Sequence, residues 1–197
     1  MANQDPNVGS YLDGAFRVLW ARQMVVRDTP EHAVEVGVGY LAAYGFRVRP
    51  GDVTTALRAE GSPWVAKAVE IGKDAGALRG CLYSLISDTP LALVMKRTIP
   101  PTLVIVAART MPDGSCVLAI QPFFTWFSKK RLARVFFDDY DFGADRMAAP
   151  QVAAAITAVI NAYQGVGTLV DAGRPTPAIS DKEAMTTILR VRKLTGW

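Results

Sequence analysis

The residues best suited to chemistry in this sequence crowd into one stretch. It reads Phe123-Phe124-Thr125-Trp126-Phe127-Ser128-Lys129-Lys130-Arg131, four aromatics followed by three cations. Aromatic rings beside ammonium and guanidinium groups suit three kinds of contact. They anchor protein interfaces, sit at headgroup depth on an anionic membrane surface, or stack bases while cations meet phosphates. On an extended strand Phe124 and Trp126 share one face, and Phe123 and Phe127 the other. The binding residues named by this reading are Phe124, Trp126, Lys129, Lys130, Arg131 and Arg134. The plainer reading is a strand buried on both sides and ending in a solvated turn, its cations partly answered by Asp138 to Asp141.

A second cluster, Asp138-Asp139-Tyr140-Asp141, is acidic. On a strand Asp139 and Asp141 share a face, and two carboxylates there could hold a hard cation such as Mg²⁺. The calcium-loop pattern fails, because the twelfth position counted from Asp139 is Pro150 rather than Glu. A metal-dependent enzyme using Asp139 and Asp141 is therefore an alternative to a binding protein, and a solvated strand end is the simpler account of the same residues.

Other chemistries find little material. The chain has one histidine and two cysteines, three residues where a structural zinc site wants about four. Cys81 and Cys116 both lie in apolar surroundings and read as buried free thiols. His32 falls in the first turn of an expected helix, with no Gly-x-Ser-x-Gly elbow elsewhere in the chain and no visible group to orient it against Cys116. Gly37, Gly39 and Gly45 resemble a nucleotide-binding loop in composition only. The five residues between Gly39 and Gly45 span about 8 Å of helix, too short for a crossover to a parallel strand. Inside a helix these glycines would instead allow close packing. No cofactor is expected.

The elements that must carry these residues announce themselves mainly at helix starts. Thr29-Pro30, Ser62-Pro63 and Thr89-Pro90 each offer a hydroxyl cap followed by proline, and Ser180 with Glu183 makes a capping box. Helices are expected at about 10–26, 30–44, 62–76, 150–164 and 181–194. Strands are expected at 46–49 and 53–58 around Pro50-Gly51-Asp52. A hairpin should join 102–110 to 115–120 through Asp113-Gly114, and a second should follow at 123–127 and 132–142. Leu91 to Met95 suits either a strand or a helix.

Clustered strands argue for an α+β domain, a mainly antiparallel sheet of about five to six strands covered by helices. The organisation expected is a domain over 1–164, a Gly/Pro linker over 165–180, and a C-terminal helix over 181–197, docked or mobile. Residues 147–170 carry no charge, but their polar and small residues point to a buried helix rather than a membrane span.

The net charge of +4 is not evenly spread. Residues 89–137 hold seven basic groups and one acidic one, while the segments on either side are each close to neutral. The surplus thus lies beside the aromatics. These observations point to a cytoplasmic, non-enzymatic binding or assembly protein, peripheral to a membrane or acting on a protein partner through its basic hairpin. Nucleic acid is a further class of partner, and a homo-oligomer is compatible with the sequence.

Overall fold

A computed structural model describes residues 21–72, 101–128, 131–132, 148–176 and 178–197. In it an antiparallel sheet lies between two layers of helix, an α+β fold with a C-terminal helix. In chain order the elements are β1 (Ala21–Val26), α1 (Pro30–Ala43), β2 (Arg47–Val48), α2 (Val53–Ala59), β3 (Val65–Ile71), β4 (Thr102–Thr110) and β5 (Cys116–Ser128). There follow β6 (Arg131–Leu132), α3 (Ala149–Gly165), β7 (Leu169–Asp171), β8 (Pro175–Thr176) and α4 (Lys182–Leu194). The sheet runs β2-β3-β4-β5-β1-β7, with β6 attached to β5 and β8 to β1.

The central strands are apolar on both faces because both faces are covered. Val104, Val106 and Ala108 of β4 join α1 and α3 in one core. Leu103, Ile105 and Ala107 of the same strand join α2 and α4 in the other. The β4–β5 hairpin turns at Asp113-Gly114 as expected. Asp113 Oδ1 accepts from the Ser115 amide at 3.0 Å, and the Met111 amide closes on the Ser115 carbonyl at 2.7 Å.

In the first core α1 approaches β4 closely. A Cβ on Gly37 would stand 2.9 Å from Val106 Cγ1, so the glycine sets the spacing of the layers, as a helical glycine should. Toward the far edge the register between β1 and β7 shifts, with adjacent Val25 and Val26 facing Asp171 and Leu169. Gly173, at φ +64°, crosses so near that a Cβ would lie 1.8 Å from the Gln23 carbonyl oxygen.

Several expected elements differ. Residues 21–26, expected as the end of a helix over 10–26, form β1; the β-branched Val25 and Val26 pair with Val117 and Cys116 of β5. Residues 10–20 lie outside the described residues. Of the helix expected at 62–76, residues 65–71 form β3, and 73–76 lie outside the described residues. Ser62 Oγ accepts from the Trp64 amide at 3.3 Å in a turn rather than a helix cap, and β3 then pairs with β4 along its whole length. The strand expected at 53–58 is α2. Asp52 caps it, accepting from the Thr55 amide at 3.0 Å, and Thr54 Oγ1 exchanges hydrogen bonds with the Ala66 backbone of β3.

Helices α1, α3 and α4 stand where expected. Thr29 and Pro30 open α1 as read, but the cap of α4 is Asp181, not Ser180. Residues 165–180, read as a linker, contain β7 and β8, and both pair with β1. Helix α4 is docked, with Ala184, Ile188 and Val191 wholly buried. Among the described residues no helix is long and apolar enough to cross a membrane.

Candidate functional site

The aromatic part of the stretch, Phe123 to Phe127, belongs to β5, which is thirteen residues long and has two parts. Residues Cys116 to Phe124 pair with β4, from Thr110↔Cys116 to Thr102↔Phe124. On its other side, among the described residues, β5 pairs with β1 from Cys116 to Ile120. Pro122 falls beyond that point, where β5 has become an edge on this side among the described residues, the setting in which a sheet accepts proline. From Thr125 onward, among the described residues, β5 no longer pairs with β4 or β1 and pairs with β6, through Thr125↔Leu132 and Ser128↔Arg131.

The structure thus separates the residues that sequence grouped. Phe124 is 7% exposed and belongs to the core shared with α1 and α3, so it is a packing residue at the base of the hairpin. Phe123, on the opposite face, is half-buried and lies under the Arg192 guanidinium of α4, 5.2 Å from ring centre to Cζ. Trp126 lies on the extension of β5, and Arg131 is in β6 rather than in the turn. Lys129, Lys130, Arg134, Asp139 and Asp141 lie outside the described residues.

On the face of the sheet that it covers, α4 is held by polar groups as well as by apolar burial. Glu183 accepts from Trp64 Nε1 at 3.0 Å and stands 3.5 Å from Arg109, whose guanidinium lies over the Trp64 ring at 5.3 Å. Gln121, 3% exposed on β5, accepts from the Ile179 amide at 3.0 Å and donates to its neighbour's carbonyl. Arg49 bridges Glu70 and the Thr195 carbonyl, and Trp197 Nε1 donates to Glu70 at 3.3 Å. The terminal tryptophan is therefore part-buried against the sheet.

A second constellation was not anticipated. Where β1 leads into α1, Asp28 Oδ2 accepts from Tyr163 Oη of α3 at 2.7 Å and lies 2.6 Å from His32 Nδ1. The Thr29 amide donates to Asp28 Oδ1 at 2.8 Å. Burial works to raise the Asp28 carboxyl. The hydrogen bonds from Tyr163, His32 and Thr29 outweigh it, leaving the carboxyl below the ordinary aspartate range. Burial, and then the bond to Asp28, push the Tyr163 phenol up. His32 turns Nδ1 to the carboxylate from a side chain that is 67% exposed. The sequence signal was Asp and His four residues apart across a helix start; the tyrosine, 135 positions away, gave none.

Cys116 is wholly buried in the first core, and burial pushes its thiol up to about 12, so it remains a thiol at neutral pH. Cys81 lies outside the described residues. No group of three or more His, Cys, Asp or Glu that could hold a metal occurs among the described residues. Compared with protein-family models, with curated proteins and with solved structures, the chain matches none.

Proposed function

We propose that this chain is a non-enzymatic binding or assembly protein whose contact element is the basic, aromatic hairpin at 123–134, acting on an acidic surface of a protein partner or a membrane. The observation that carries the reading is the split of β5. A strand fixed in the middle of the sheet continues past both neighbouring ladders as they run among the described residues, and its continuation holds Trp126 and leads into Lys129, Lys130 and Arg131. The excess of seven basic groups over one acidic group in residues 89–137 favours an anionic counterpart. With Phe124 in the core, Trp126 becomes the main apolar anchor of the proposed contact.

The test is a variant carrying Trp126→Ala with Lys129, Lys130 and Arg131 each changed to Glu. It should keep the far-UV circular dichroism of the parent and lose partner recovery in a pull-down. It should also lose co-sedimentation with phosphatidylserine-containing vesicles if the counterpart is a membrane. Partner recovery and vesicle binding both equal to the parent's would overturn the reading. Binding to a single-stranded oligonucleotide that falls steeply with salt would redirect it to nucleic acid.

A further inference from the structure

We draw no further inference here: the strongest candidate, the Asp28–His32–Tyr163 cluster where the end of β1, the start of α1 and the end of α3 meet, has an oriented and exposed imidazole, but no further ligating group completes a metal site among the described residues and nothing around it identifies a substrate.

Discussion

The two faces of the sheet use charge differently. On the face covered by α1 and α3, the interior is apolar except where Asp28 accepts from Tyr163, and the pairs made by α1 with Arg58 and Lys67 sit at the rim. Glu31 of α1 reaches Arg58 at 2.8 Å, with both side chains more than half exposed, and Glu35 pairs with Lys67. On the face covered by α4, charged groups are drawn into the contact. Arg109 lies over Trp64, Arg192 over Phe123, and Arg49 reaches Glu70 with only 19% of its side chain exposed. The first face is closed by shape, with a glycine as its spacer. The second is closed by shape plus aromatic and ionic clasps along a single helix. A solvated rim pair is worth little, whereas a partly desolvated cation over a ring contributes more. The faces should therefore respond differently to truncation, crowding and salt.

The largest effect is expected from Ile188→Ala in α4. Removing most of a wholly buried side chain should cost about 2–5 kcal/mol in urea denaturation. A loss below about 1 kcal/mol would mean the clasps, not the apolar stripe, hold the helix. Next comes Gly37→Ala on the other face. The new methyl meets Val106, and the cost should be about 1–3 kcal/mol, partly recovered when Val106→Ala is added. Gly39→Ala, on the same helix but with nothing from beyond its own stretch of helix within 4 Å of its Cβ position among the described residues, should instead stabilise by about 1 kcal/mol. Similar behaviour of the two glycines would remove shape as the account of that face.

Smaller again is Asp28→Asn, expected to cost about 1–2 kcal/mol at neutral pH through loss of charge-assisted bonds. The folded state holds this carboxyl below its ordinary value of 3.8. Its contribution is therefore present in full above that value and lost as pH falls through the lower one. The stability gap between parent and variant should close as the pH is taken down below about 4. A gap that stays constant across that window would show that the carboxylate charge contributes nothing. Smallest is Glu183→Gln, expected to cost less than about 1 kcal/mol and to matter less still in 1 M salt. The effect of Ile188→Ala should not shrink with added salt.

How far sequence reached depended on how local each signal was. The β4–β5 hairpin was legible because Asp113-Gly114 supplies both the turn and its side-chain bond to Ser115. Helix α1 was legible from its Thr29-Pro30 cap, and α3 and α4 were legible in extent although α3 has no side-chain cap and α4 is capped by Asp181 rather than Ser180. Ser62-Pro63 misled, because the same hydroxyl geometry serves a turn before a strand, and only pairing with β4 decides between them. Asp52 was read as a turn residue when it caps α2, whose tie to β3 through Thr54 is tertiary. The aromatic stretch was found, but its faces could not be assigned. The burial of Phe124 depends on α1 and α3, and the stacking over Phe123 depends on Arg192, 69 positions later. Tyr163 could not be joined to Asp28 by any pattern, since α3 brings it there only once the first core has formed.

The length of β5 has a mechanical consequence. A pull on the hairpin along the strand axis enters the centre of the sheet rather than its edge. It would load the β4 ladder from Phe124 back to Cys116 in shear, together with the β1 ladder over its last five residues. Bonds stretched in parallel share the load, whereas a hairpin peeled from an edge breaks them one at a time. The handle proposed for binding is thus anchored where the molecule best resists being torn by whatever it holds.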